Sequence, residues 1–228
     1  MASKIKKTKL GTSFTNEDQR HAYEKLSQPW NMHWRKQYSN VTALVRPQKS
    51  DIILDVGCGT GKYEARYSHI VKHIVGAEID KGVLAWAQRY ARENGKKGKF
   101  SFVRIANERI SRLFPKQKFS KIMLIDAVEH IPLAILDTYL QEFKHMLTAD
   151  GRVYIYTPNE KYFWEQLRKD SGHISLYTLD SLTHALRRNG YKIIRAYHAQ
   201  SHVTVLNILE RISPFIILKR RLCVEARV

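Results

Sequence analysis

The sequence predicts an α/β protein whose core is a doubly wound, parallel-type sheet with helices on both faces. Three observations carry that reading. Short apolar runs rich in Val and Ile alternate along the chain with longer segments of helical period, the pattern of strand–helix–strand units. These runs are apolar at successive positions, as strands covered on both faces require. The first of them, Ile52–Val56, feeds directly into three glycines at alternate positions, Gly57, Gly59 and Gly61, and then into a helix-forming stretch from Lys62. A length of 228 residues suits one domain with a full α/β core.

The elements follow in order. Residues 1–14, with Lys4, Lys6, Lys7 and Lys9, read as a disordered basic tail. Residues 15–46 read as an N-terminal helical cap of two helices, 15–28 and 31–46, separated by Pro29 and bounded by Pro47. Trp30, Trp34 and Tyr38 fall at helical spacing and form one apolar face, with a lid over the site as the sharper alternative. The main domain spans 47–228. Its strands are Ile52–Val56, His73–Glu78, Phe100–Ile105, Lys121–Ile125, Gly151–Thr157 and Tyr191–Tyr197. Its helices cover 62–70, 81–94, 132–148 and 178–189. Asp80 and Thr178 have the side chains that cap helix starts, and Asn189-Gly190 suits a helix end. Val203–Leu222 mixes apolar residues with Arg211, Lys219, Arg220 and Arg221, and Leu222–Val228 alternates enough to be a last strand.

Composition narrows the partners. Thirty-nine Lys and Arg against 21 Asp and Glu leave a net charge of +18, which calls for an anionic partner such as nucleic acid, an acidic membrane surface or an acidic substrate. Eleven of the basic residues lie between Arg89 and Lys121, against Glu93 and Glu108 alone. A solvated face is the plainer reading of that cluster. The two cysteines, Cys58 and Cys223, make no C-x-x-C pair and no disulfide framework. No signal peptide and no membrane-spanning run is visible, so a cytoplasmic protein is expected.

The glycine turn separates ligand classes. Its spacing is G-x-G-x-G with Asp55 two residues ahead, not the G-x-G-x-x-G of dinucleotide sites, and the Lys-Ser/Thr of a phosphate loop is absent. The octapeptide Leu54-Asp55-Val56-Gly57-Cys58-Gly59-Thr60-Gly61 resembles motif I of the class I S-adenosylmethionine-dependent methyltransferases. The resemblance covers about residues 45–200. It implies a Rossmann-like, seven-stranded sheet, mostly parallel, with an antiparallel last strand beside the fifth. It also implies S-adenosylmethionine as cofactor and S-adenosylhomocysteine as product. Gly57, Cys58, Gly59 and Gly61 then form the cofactor loop, and Asp55 orders that loop and the aminoacyl end of the cofactor. Val75-Gly76-Ala77-Glu78-Ile79-Asp80 looks like motif II, in which Glu78, followed by Ile79, accepts both ribose hydroxyls. The family's adenine-contacting acid is replaced by Ala106, so Asn107 or Glu108 is expected to take over.

The candidates for methyl transfer come next. Polar residues at the carboxyl end of a central strand line the ligand crevice of a doubly wound sheet, which places Asp126 beside the sulfonium. Val128-Glu129-His130-Ile131-Pro132 resembles a segment of ubiquinone-biosynthesis-type small-molecule O-methyltransferases. His130, with an ordinary pKa near 6.5, can take a hydroxyl proton at neutral pH; helix capping by Glu129-His130 is the plainer alternative. His173, ahead of Leu176-Tyr177-Thr178, is the second catalytic candidate. Asp126, Glu129, His130 and His173 offer the donors of a divalent metal site as an alternative, but their spacing is not diagnostic and no metal is expected.

The resemblance thus implies O-methylation of a small or lipophilic acceptor from S-adenosylmethionine; no Asn/Asp-Pro-Pro-Tyr/Phe signature of base amino methylation follows the fourth strand, which speaks against a nucleobase amino acceptor. The alternatives are an RNA or protein methyltransferase using the basic surface and a non-catalytic cofactor-binding protein. Peripheral contact with an anionic membrane through Val203–Leu222 is a further expectation.

Overall fold

The structure is a computed structural model that describes residues 6–13, 31–107, 109–167, 172–199 and 219–228. The expected helix at 15–28, Trp30 and most of Val203–Leu222 lie outside them. The elements are β1 (Lys6–Thr8), β2 (Gly11–Ser13), α1 (Met32–Val45), β3 (Ile52–Val56), α2 (Lys62–Tyr67), β4 (His73–Glu78), α3 (Lys81–Asn94) and β5 (Phe100–Arg104). There follow β6 (Phe119–Ile125), α4 (Leu133–Met146), β7 (Leu147–Pro158), α5 (Phe163–Leu167), α6 (Leu179–Arg188), β8 (Lys192–His198) and β9 (Arg221–Arg227). Short 3-10 turns occupy Ile110–Leu113 and Val128–His130.

Seven strands form one sheet in the order β5-β4-β3-β6-β7-β9-β8. Strands β5 through β7 pair in parallel, and β9 inserts antiparallel between β7 and β8. Successive residues of each strand feed opposite layers. Leu54, Val75, Ile122, Val153 and Val224 join α4 and α6 in one apolar core. Their neighbours Ile53, Ile74, Met123, Tyr154 and Cys223 pack against Trp34, Val41 and Leu44 of α1 and Tyr63 and Tyr67 of α2. The doubly wound architecture therefore follows from uninterrupted apolar strands, each supplying both cores.

Local signals behave as their chemistry demands. Asp80 accepts from the backbone N–H groups of Gly82 and Val83 at the start of α3. Thr178 and Ser181 form a reciprocal capping box on α6. Gly190 follows the end of that helix at φ 83°. Pro132 precedes α4 with no side-chain cap, so Glu129 and His130 are not helix-capping residues.

Three elements depart from expectation. The helix after the glycine turn stops at Tyr67, where the Ser68 hydroxyl donates to Ala65 O at 2.7 Å and competes with further helix. Strand β7 begins already at Leu147: Phe119 pairs with Leu147 and Lys121 with Arg152, so residues 148–151 bulge from the ladder. Residues 6–13, expected within a disordered tail, form the β1–β2 hairpin. That hairpin lies against the segment after β6. A Cβ on Gly11 would stand 2.2 Å from His130 O, so only glycine admits this approach.

The far edge is tied by Glu225 of β9, whose side chain is wholly buried. It accepts from Arg46 Nη2 at 3.0 Å, from Arg195 Nε at 2.5 Å and from Arg152. Burial pushes this carboxyl up, but the guanidinium groups outweigh it and hold it below its ordinary range. The arginines keep partial solvent contact, so Glu225→Gln is expected to cost about 1–2 kcal/mol, between exposed and fully buried pairs. A depressed pKa gives stability that is present above the unfolded value of about 4.3 and lost as pH falls. Urea denaturation should therefore show the deficit at pH 7 and a smaller one near pH 3.5; an equal deficit at both would remove the ion network as its cause.

Candidate active site

The site is built where β3, β4 and β6 end together. Gly57 N and Cys58 N both donate to Ala77 O, at 2.8 and 3.1 Å, which turns the chain out of β3 across the end of β4. Gly57, Gly59 and Gly61 have φ of 79°, 53° and 74°. A Cβ on Gly57 would lie 2.8 Å from the Ala127 Cβ, so the loop presses directly on the segment after β6. Cys58 is buried inside the loop.

Carboxylates surround this turn. Glu78 accepts from Gly59 N at 3.1 Å, Ile79 N at 2.8 Å and Asp80 N at 3.1 Å. Burial pushes its carboxyl up and these N–H groups oppose the rise. Asp55 is fully buried, and its carboxyl is pushed up to about 8 by burial, with the Glu64 carboxyl opposing and the Glu78 charge adding. Glu64, in the first turn of α2, is raised for the same reason and by Asp55. Two adjoining buried carboxyls cannot both ionise at neutral pH, so the pair holds a proton.

This cradle fits a polar nucleoside ligand. Among the described residues, the Thr60 and Tyr63 hydroxyls are buried without a hydrogen-bond partner, and such groups beside a glycine turn call for one. Lys62 stands 4.4 Å from the Trp34 ring centroid, and burial lowers its pKa to about 7. Ile79 is half-buried against the core. Asn107 is exposed, and its side-chain oxygen accepts from Arg109 N at 3.0 Å. Glu108 lies outside the described residues.

The segment after β6 carries the remaining candidates. Asp126 adopts φ 50°, a rare conformation for a residue other than glycine. Its carboxylate accepts from Gln37 Nε2 at 2.6 Å and pairs with Arg221 Nη1 at 3.1 Å. Glu129 is buried; its Oε2 accepts from the Thr157 hydroxyl at 2.9 Å, and its backbone oxygen accepts from Ile174 N and Ser175 N. Burial first, and then the Asp126 charge, push its carboxyl up to about 8 against the pull of Arg221. Those two backbone bonds carry the 172–175 segment over β6, so that the His130 and His173 rings meet edge to face at 5.0 Å between centroids. Burial, followed by His173, lowers the His130 pKa to about 4.

Sequence reasoning named both histidines and grouped them with Asp126 and Glu129 as conceivable ligands, but nothing in it showed the rings in contact. It missed Glu64, whose partner is set by the turn, and Thr12 and Glu165, which contact His130 and His173. Thr12 comes from the hairpin, and no pattern around it marks a distant histidine. An acid in the first helical turn after a glycine loop, next to an acid before it, was the one available signal for Glu64.

A family model described as a methyltransferase domain matches residues 30–196. The chain belongs to this family. The methyltransferase is similar to the 23S rRNA (uracil(1939)-C(5))-methyltransferase RlmD of Xanthomonas euvesicatoria, 26% identical over 111 residues, which are 45% of this chain and 25% of that relative. It thus aligns with about a quarter of that relative's length. Magnesium protoporphyrin IX methyltransferase from Synechocystis, solved with bound S-adenosylhomocysteine, superposes with a TM-score of 0.65 at 14% identity, covering 92% of this chain and 94% of that one. A Haloferax volcanii methyltransferase in complex with the Trm112 activator superposes with a TM-score of 0.65 at 13% identity, covering 92% and 93%.

S-adenosylmethionine is the cofactor of this methyltransferase domain, and its sulfonium would supply an already activated methyl group. The chain's own task is to bind and orient it. The backbone of Gly57–Gly61, the Glu78 carboxylate and the buried acids at Asp55 and Glu64 are the groups suited to hold it. Glu78→Ala is expected to weaken S-adenosylhomocysteine binding by about 1–3 kcal/mol, the cost of stranding hydrogen-bond partners. Gly59→Val, which puts a β-branched residue at φ 53°, should abolish it. Titration calorimetry decides; wild-type affinity in Glu78→Ala would reduce Glu78 to a staple of the loop.

Proposed function

We propose that this methyltransferase acts on a hydroxyl oxygen of a small or lipophilic acceptor by in-line transfer from S-adenosylmethionine. The observation that carries the reading is the His130–His173 pair on the same rim as the glycine loop. With a pKa lowered to about 4, His130 is the neutral imidazole at neutral pH and can accept a hydrogen bond, and then the proton, from an acceptor's O–H. The acceptor oxygen attacks the methyl carbon as the carbon–sulfur bond breaks, and the bond electrons return to sulfur. Asp126 and Glu78 act as binding and orienting groups. The adenine contact is assigned to Asn107 or Glu108 in the same reading, and a peripheral membrane contact would serve a lipid-like acceptor. No helix among the described residues is long and apolar enough to cross a membrane.

A second reading is favoured by one surface. Arg92, Lys96, Lys97, Arg104, Arg109 and Arg112 are all exposed along α3, β5 and the turn beyond it, and the RlmD relative is named for a ribosomal RNA substrate. Lys121, from the same sequence cluster, instead pairs with Asp51 at 2.6 Å and belongs to the fold. An RNA substrate would bring a steep loss of binding with salt.

Methyl-labelled S-adenosylmethionine, incubated with the protein and a lysate of its source cells, separates the two. Label in an organic extract is expected; label confined to RNA or protein would replace this reading with the second. His130→Ala should reduce turnover about 10²-fold or more while leaving cofactor affinity unchanged, and unchanged turnover removes His130 from the chemistry.

A further inference from the structure

Beyond the cofactor loop, one cluster gathers donor atoms of a kind the loop does not need. One ligand-capable atom from each of Glu129, His130 and His173 lies within 4.8 Å of the others. Hydrogen bonds fix the tautomer of both rings. Gly172 O only accepts, so His130 Nδ1, 3.1 Å away, bears the hydrogen. The Thr12 hydroxyl donates to that same carbonyl at 2.7 Å and so accepts from Nδ1 at 3.0 Å. The Glu165 carboxylate, 3.1 Å from His173 Nδ1, makes the same demand of the second ring. In the neutral form of each ring the lone pair therefore sits on Nε2. A carbonyl behind one imidazole and a carboxylate behind the other form the outer shell that orients metal-ligating histidines.

We propose that Glu129, His130 and His173 form a binding site for one divalent transition-metal cation, of the Zn²⁺ or Mn²⁺ kind. Two imidazoles and one carboxylate suit such ions rather than Mg²⁺ or Ca²⁺, which prefer oxygen ligands. Three protein ligands leave coordination positions open for an acceptor oxygen. The positive charge also offsets the cost of a carboxylate buried at Glu129. Arg221 does not fill that place alone, because it is already paired with Asp126 at 3.1 Å. The site stands on this geometry; the role given to the cation rests on the hydroxyl-acceptor reading. With the cation bound, His130 Nε2 is its ligand and no longer the partner of the acceptor's O–H; a hydroxyl coordinated through oxygen instead loses its proton to water more readily. Its oxygen lone pair then forms the new bond to the methyl carbon, and the broken bond's electrons leave on sulfur.

The test uses the full chain stripped with EDTA. Mn²⁺ is added and followed by electron paramagnetic resonance, and Zn²⁺ by calorimetry, with S-adenosylhomocysteine affinity measured alongside as a check on folding. One cation per chain is expected. His130→Ala and His173→Ala should weaken it at least tenfold, and Glu165→Gln, which removes the carboxylate behind His173, by about 10–100-fold. All three should keep wild-type S-adenosylhomocysteine affinity. Uptake of no cation, or uptake indifferent to both histidine substitutions, overturns the site. Hydroxyl methylation that survives EDTA overturns the cation's role and leaves the acceptor reading standing. Saturable binding lost in the histidine variants, with label passing only to RNA, supports the site and overturns the acceptor reading.

Discussion

The Ala77 carbonyl is the point on which the rest of this structure turns. By accepting from both Gly57 N and Cys58 N, it forces the chain leaving β3 to cross the end of β4 rather than run past it. Glu78 is then brought onto Gly59, and Gly57 onto Ala127. Three strand ends are locked into one rim by backbone bonds and a contact that excludes any side chain at Gly57. Parallel strands make this possible because all their carboxyl ends emerge on the same side of the sheet.

A second anchor lies on the same rim. Glu129 joins the segment after β6 to Thr157 of β7 through its side chain and to Ile174 and Ser175 through its backbone. Burying a carboxyl at such a junction is costly, and an apolar residue would pack there without that cost. Asp55 and Glu64 repeat the pattern beneath the glycine loop. Buried acids with raised pKa values gather at this rim, where ligand chemistry takes place, while Glu225 at the far edge is held below its ordinary range by three arginines. That contrast marks the rim acids as candidates for ligand binding and Glu225 as a group that ties the fold.

Much of the fold was legible because its signals are local. The apolar runs at Ile52–Val56 and His73–Glu78 are strands as read, and 81–94 is a helix with Asp80 at its start. The bulge at 148–151 was not legible, since it arises from pairing of Phe119 with Leu147 and of Lys121 with Arg152 across two elements. The hairpin at 6–13 was hidden for a related reason. Its lysines look like a solvated tail, and what holds it is the fit of Gly11 against His130 O and the bonds of Thr12.

The amino-acid sequence by itself determined the layered α/β core, the glycine loop and the acid that ends the second sheet strand. These depend on residue period, on the absence of Cβ atoms and on short spacings along the chain. Only the tertiary structure decided that His173 faces His130, that Glu165 and Thr12 set their tautomers, and that Asp126 is shared between Gln37 and Arg221. Those contacts join residues far apart in sequence, and local propensity does not encode the docking of one loop on another.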